Sequence, residues 1–250
     1  ILVIEDNEEL RSFYKTLLSP KYEFHEAEDG EKGLKMVDEI TPDLIICDVV
    51  MPGIYGYEVC KTIKDELQTC HIPVILLTAK DAPEQIVFGY KSGADAYIIK
   101  PFDYEVLMSQ IDTMITNREI IRKKYTSTDF LEEAEKEKPK TKDDIFMETL
   151  NADIEENMFS EDYNVFKLSD KLNISRNHLY RKVKALTGYS TVEYIRIFKL
   201  NKAAEILKTQ QYSVKEVCYM TGFRDQSYFT KSFKSHFKMN PTEYIKSTVA

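Results

Sequence analysis

Along the first hundred residues, short apolar runs alternate with segments whose apolar residues recur every three or four positions. The runs at 1–5, 22–27, 43–48, 73–78 and 96–100 read as strands. Between them, spacings such as Leu10, Phe13, Leu17 and Val106, Ile111, Ile115 read as amphipathic helices. Strand–helix alternation predicts right-handed crossovers and a parallel sheet covered on both faces. The run at 22–27 is mixed and polar, which suits an edge strand. The pattern fades over 119–145, where 132–142 is highly charged and contains Pro139; this stretch reads as an exposed linker, helical at its start.

Residues 146–250 are helical in pattern and carry an internal near-repeat. Leu168, Asn173-Ile174, Leu179 and Val183 line up with Val217, Gly222-Phe223, Phe229 and Phe233. Asn173 and Gly222 are residue types that tolerate the left-handed conformation ending a helix. Ser175 and Asp225 then suit the N-caps of following helices. Helix, tight turn, capped helix is a helix-turn-helix, and the chain has it twice. The expected division is therefore 1–118, a linker over 119–145, and 146–250.

Charge separates the same segments. Residues 1–118 hold 11 Lys+Arg against 22 Asp+Glu, 119–145 hold 7 against 8, and 146–250 hold 16 against 12. All 16 of those last basic residues lie at or after Lys167. An acidic half joined to a basic half suggests a nucleic-acid module attached to something else, although a basic solvated face without a partner has the same signature. The four cysteines show no CxxC spacing, Cys47 lies inside an apolar run, and a reducing, cytoplasmic setting is expected. Cys70 beside His71 reads as a loop coincidence more than a metal site. No run is long and apolar enough for a membrane span. The chain begins without Met and already inside a strand, from which a fragment of a longer protein is expected.

The candidate chemistry lies where the strands stop. The first run ends at Glu5 and Asp6, the third at Asp48, the fourth at Thr78 and the fifth at Lys100. In an open parallel sheet, ligands bind outside the carboxyl ends of the strands. Three acids, a hydroxyl and an ammonium would thus converge on one crevice. Hard oxygen ligands with room for water and phosphate suit magnesium. Asp48 is the proposed nucleophile, since a carboxylate can accept a phosphoryl group as an acyl phosphate. Lys100 would offset charge on the phosphoryl oxygens; Pro101 follows it, and a cis bond there would help turn the ammonium inward.

Glu5-Asp6, the run Leu44 to Gly53, Leu77-Thr78-Ala79 and Lys100-Pro101-Phe102 together resemble the receiver domain of two-component response regulators, over residues 1 to about 118. The resemblance implies a flavodoxin-like, doubly wound five-stranded parallel sheet of order 2-1-3-4-5. It further implies that Asp48 is phosphorylated by a histidine kinase phosphohistidine, with Mg2+ held by Glu5, Asp6, Asp48 and the Val50 backbone carbonyl. Thr78 and Tyr97 fit the family's switch pair. The switching face is that of the fourth helix, fifth strand and fifth helix, within 83–115, and commonly forms a homodimer.

Residues 146–250 resemble the DNA-binding domain of AraC-type activators, best over 214–245, with two helix-turn-helix units joined by a helix at about 191–208. At ~1.5 Å per residue that helix is roughly 27 Å long. This suits recognition helices in successive major grooves of a double-stranded DNA, ~34 Å apart. Those helices would run over 176–186 and 226–237, with Leu179, Val183, Phe229 and Phe233 inward and Asn177, His178, Arg181, Lys182, Gln226, Ser227, Lys231 and Lys234 outward. By the resemblance, Asn177, Arg181, Ser227 and Lys231 sit where bases are read. Lys182, Lys199 and Lys234 fit phosphate contacts. The whole reads as a phosphorylation-controlled transcription regulator, a phosphoacceptor with at most self-dephosphorylation and not itself an enzyme. The alternatives are a constitutive DNA-binding protein with an unphosphorylated receiver, and an aspartyl phosphatase or phosphotransferase. Against the last, the position two residues after Asp48 is Val50 where such enzymes often place a second Asp. The domain order also resembles the C-terminal part of Bacteroides-type hybrid sensors, whose parent chain would be a histidine kinase in the inner membrane.

Overall fold

The computed structural model describes residues 1–79, 92–126, 140–160 and 163–247. They form two compact units, Ile1–Lys124 and Tyr125–Ala250. The segments 80–91, where the fourth helix of the expected switching face falls, and 127–139, most of the expected linker, lie outside the described residues.

The first unit alternates β1 (Leu2–Ile4), α1 (Glu8–Leu18), β2 (His25–Ala27), α2 (Gly30–Ile40), β3 (Ile45–Asp48), α3 (Gly56–Asp65), β4 (Val74–Ala79), β5 (Ala96–Lys100) and α4 (Tyr104–Thr126). All strand pairs are parallel and the sheet order is β2-β1-β3-β4-β5. The mixed-polarity run is indeed an edge, cut to three residues in β2. Continuous apolar strands bury side chains on both faces, giving two cores. One gathers Leu2, Ile4, Ile45, Val74 and Leu76 with Val59 and Ile63 of α3; the other gathers Val3, Ile46, Ile75 and Leu77 with Tyr14, Leu107 and Ile111. Two stripes differ from the periodicity reading. On α1 the buried residues are Tyr14 and Leu18 while Phe13 is exposed, and on α4 Leu107 is buried while Val106 is exposed. The other expected positions keep their place: Ile111 is buried, and Leu10, Leu17 and Ile115 pack against the same core, so the reading fails only at Phe13 and Val106, whose neighbours Tyr14 and Leu107 take the inward positions.

The second unit comprises α5 (Lys142–Asn157), α6 (Val165–Lys171), α7 (Arg176–Thr187), α8 (Thr191–Lys208), α9 (Val214–Met220), α10 (Gln226–Phe237) and α11 (Pro241–Ser247). The internal repeat holds down to single hydrogen bonds. In the first turn, Leu172, Asn173 and Ile174 donate from N–H to the carbonyls of Leu168, Asp170 and Ser169. In the second, Thr221, Gly222 and Phe223 donate to Val217, Tyr219 and Cys218. Asn173 and Gly222 have φ of 54° and 69°, and Ser175 and Asp225 cap the next helices. Each half has its own apolar cluster. Leu168, Leu179, Val183, Leu186, Tyr194 and Phe198 pack with Phe146, Met147, Leu150 and Ile154 of α5; Val217, Phe229 and Phe233 pack with Leu200, Ala203, Ala204 and Leu207. No described helix is long and apolar enough to cross a membrane.

Candidate functional site

The sheet brings the predicted strand-end residues of the first unit together. Glu5 follows β1 and is 1% exposed; Asp48 ends β3 and is 9% exposed. Glu5, Asp6 and Asp48 each offer a carboxylate oxygen, all within 4.8 Å of one another. Register places Lys100, at the end of β5, opposite Ala79 of β4. Its Nζ lies 2.8 Å from Glu5 Oε2 and 3.0 Å from Asp48 Oδ2. The Lys100–Pro101 peptide bond is cis.

The electrostatics follow from this crowding. Burial pushes the Glu5 carboxyl up from its usual range, and the Lys100 hydrogen bond opposes that only in part. Burial pulls the Lys100 ammonium down, but the Glu5 bond and the Asp48 charge outweigh it, and the net shift is upward. One ammonium thus serves two buried carboxylates, with a third carboxylate at the exposed rim. The donor set is all hard oxygen and partly open to water, which fits magnesium.

The surrounding backbone fixes these groups. Asn7 caps α1 by accepting from Leu10 N–H at 3.0 Å. Arg11 donates from Nη1 to the carbonyls of Glu5 at 2.9 Å and Asp6 at 2.8 Å, clamping the acidic turn. Sequence reasoning did not single out Arg11; its place one turn after the cap was the available signal. Gly56 opens α3 directly against the phosphoacceptor candidate. A Cβ there would overlap the Asp48 carbonyl oxygen and lie 2.8 Å from its carbon and 3.0 Å from Val49 Cα. Thr78 is buried at 2% exposure, one residue before the end of β4. Tyr97 is half-buried against the first core, with its hydroxyl shielded from solvent. Val50 is exposed in the loop after Asp48.

In the second unit, α7 and α10 present Asn177, Gln226, Ser227, Lys231 and Lys234 to solvent, with His178 and Arg181 half-buried. Leu179, Val183, Phe229 and Phe233 are fully buried, as their spacing predicts. Lys182 is a correction. It is 0% exposed, its Nζ donates to Asp143 Oδ1 at 2.7 Å, and it lies 5.0 Å above the Phe146 ring. Its side chain therefore does not stand on the outward face. The spacing Leu179, Lys182, Val183, Leu186 already places it in the apolar stripe, and the anion waiting on α5 lets a cation be buried there. Lys199 also turns inward: half-buried on α8, it donates to the Met158 carbonyl at 3.0 Å.

Two family profiles match separate parts of the chain. Residues 1–112 match the family profile described as response regulator receiver domain, and residues 168–247 match a helix-turn-helix domain. The chain is 34% identical over 244 residues to histidine kinase P4 of Formosa agariphila, a match covering 98% of this chain and 18% of that one. It is 39% identical over 120 residues to the transcriptional regulatory protein AfsQ1 of Streptomyces coelicolor, covering 48% of this chain and 52% of that one. Among solved structures, the signal receiver domain of a signal transduction histidine kinase from Syntrophus aciditrophicus is 32% identical, with 46% and 89% of the two chains covered and a TM-score of 0.45. The chain thus spans about half or less of the length of these curated relatives.

Proposed function

We propose, for a chain that carries a response regulator receiver domain followed by an AraC-type helix-turn-helix domain, that Asp48 is the phosphoacceptor through which a histidine kinase controls DNA binding. The observation that carries this reading is the convergence of Lys100 on Glu5 and Asp48 at the carboxyl ends of three parallel strands. In the transfer, an Asp48 carboxylate oxygen attacks the phosphorus of a phosphohistidine. The P–N bond breaks, the imidazole leaves with the electron pair, and Asp48 becomes an acyl phosphate. Glu5, Asp6, Asp48 and the Val50 carbonyl would hold Mg2+, which when bound offsets negative charge on the transferring phosphoryl oxygens. Lys100 exchanges its Asp48 partner for a phosphoryl oxygen, and Arg11 keeps the acidic turn in place through both states.

Phosphorylation adds ~1.5–2 negative charges near neutral pH. The Thr78 hydroxyl is the donor that meets them, with Tyr97 packed inward as the second member of the switch pair. The readout is a change in receiver dimerisation, which presents paired helix-turn-helix domains to paired DNA sites and raises occupancy through effective concentration. Asn177, Arg181, Ser227 and Lys231 read bases, with Arg181 suited to guanine; His178, Gln226 and Lys234 border them. The near-complete match to a short part of a histidine kinase supports a further reading, that this segment serves as the cytoplasmic regulator end of a hybrid sensor.

Labelling with acetyl phosphate and Mg2+ tests the assignment. Label is expected on the unaltered chain and absent from Asp48→Asn and from samples in chelator; label retained by Asp48→Asn would remove Asp48 from the role. Binding to duplexes selected from a random pool, with and without the phosphodonor, tests the control of DNA binding. Equal binding in both conditions would favour a constitutive binder.

A further inference from the structure

The two apolar clusters of the second unit share no residue, and α8 contributes to both. A single helix running between two cores leaves open how the second helix-turn-helix is held against the first. One contact answers this. The Met158 carbonyl, just past the end of α5, accepts from Lys199 Nζ at 3.0 Å. The turn of the second helix-turn-helix abuts the same group: a Cβ on Gly222 would overlap the Met158 carbonyl oxygen and lie 2.9 Å from both its carbon and Lys199 Nζ. Three elements thus meet at one carbonyl. They are α5, which is packed into the first cluster; α8, which carries Lys199; and the α9–α10 turn, which carries Gly222. Lys202 adds a bond from α8 to Glu155 of α5 at 3.1 Å.

We propose that Met158, Lys199 and Gly222 form the joint that sets the position of the second recognition helix relative to the first. The inference rests on the DNA-binding reading of this unit, and Lys199 is in it a positioning residue, not a phosphate contact. Its ammonium is committed to the inside of the unit. Burial, and then the nearby Arg224 charge, disfavour its charged form, which makes the single carbonyl acceptor the more needed. Gly222 serves twice: its φ of 69° suits the turn, and its missing side chain lets the turn reach the carbonyl.

The joint has consequences that a phosphate contact does not. A protein with two rigidly spaced reading heads gains affinity because the second head binds at a high effective concentration, and that gain depends on the span. Loosening the joint lowers affinity for a two-box site, leaves a one-box site nearly unchanged, and relaxes the preferred spacing between boxes. Removing a phosphate contact instead lowers the salt dependence by ~0.9 in the slope of log K against log salt.

The test uses the full chain with Lys199→Met and, separately, Gly222→Ala, each checked for a cooperative thermal melt. Duplexes recovered from a random-sequence pool by the unaltered chain are re-made with a few base pairs inserted or removed between the boxes. Lys199→Met is expected to lose about tenfold or more on the original spacing, to keep one-box affinity within about twofold, to lose less on altered spacings, and to keep the salt slope. A reduced slope with unaltered spacing preference would return Lys199 to phosphate binding and overturn the joint. A second measurement needs no DNA. Spin labels at Lys184→Cys and Ser235→Cys, both exposed, in a Cys70→Ser background report the distance between α7 and α10. A narrow distribution that broadens in Lys199→Met or Gly222→Ala supports the joint, and identical distributions reject it. Failure to recover any duplex would count against the DNA-binding reading alone.

Discussion

Gly56→Ala adds one methyl group against the backbone of Asp48, the proposed phosphoacceptor. The atoms it would meet are backbone: the Asp48 carbonyl oxygen, the Asp48 carbonyl carbon at 2.8 Å and Val49 Cα at 3.0 Å. Carbon pairs settle at ~3.5–4.0 Å, so the β3 end and the start of α3 must separate by roughly 1 Å. No side-chain rotation can absorb that. The Gly56 N–H also donates to the Val49 carbonyl at 3.0 Å, and the same separation strains this bond. Overpacking of this kind costs about 1–3 kcal/mol. The exchange of glycine for alanine in a helix returns about 0.5–1 kcal/mol. A net loss of about 0–2.5 kcal/mol in the receiver is expected, by urea unfolding of the full chain. The functional loss is larger, because a misplacement of ~1 Å at a reacting group can cost about a hundredfold in rate. Phosphate uptake from acetyl phosphate, followed by mobility shift in a phosphate-binding gel, should slow at least tenfold on that argument. A Gly56→Ala chain with unchanged stability and an unchanged uptake rate would refute the claim that Asp48 is positioned by this close approach.

Two further predictions concern the second unit. Lys182→Met leaves Asp143 without its buried partner; because Asp143 keeps 20% side-chain exposure, the loss should fall near or below the lower end of the ~3–5 kcal/mol known for broken buried pairs. Adding Asp143→Asn should recover much of it in a double-mutant cycle read by thermal melts, and an additive pair would show that the two side chains do not interact. His236, on α10 and 3.2 Å from Asn201 Oδ1, has its pKa held below the ordinary 6.5 by burial first and then by the Lys238 and Arg196 charges. The unfolded chain then binds a proton that the folded chain refuses, so this contribution is complete above pH 6.5 and is lost as pH falls below it. Urea melts on either side of that pH should show the loss, and His236→Gln should flatten it.

Much of the receiver was legible because parallel strands are continuous apolar runs and because the chemistry of such a sheet gathers at their carboxyl ends. Glu5, Asp48, Thr78 and Lys100 each follow or close a run, so one rule locates all four. The double helix-turn-helix was legible because Asn173 and Gly222 both sit where a left-handed residue is needed. What escaped the reading was the use of lysine inside a helical unit. Lys199 looks like a solvated basic position until the Met158 carbonyl just past α5 takes it inward, and Lys182, although its spacing falls in the apolar stripe of α7, looks too polar to bury until Asp143 of α5 supplies a carboxylate. A partner on a distant element leaves no periodic trace. Phe13 and Val106 show the same limit on a smaller scale, since a rotation of one residue about a helix axis separates buried from exposed.

The separate apolar clusters under α7 and α10 bear on how such a protein can change over time. The two clusters share no residue, so a substitution in one leaves the other's own residues in place, and on the DNA-binding reading proposed above each helix-turn-helix can drift toward a new half-site while its twin keeps the old one. On that reading, recognition can be revised one box at a time. The residues that must stay constant through such a history are the few at which the two halves meet.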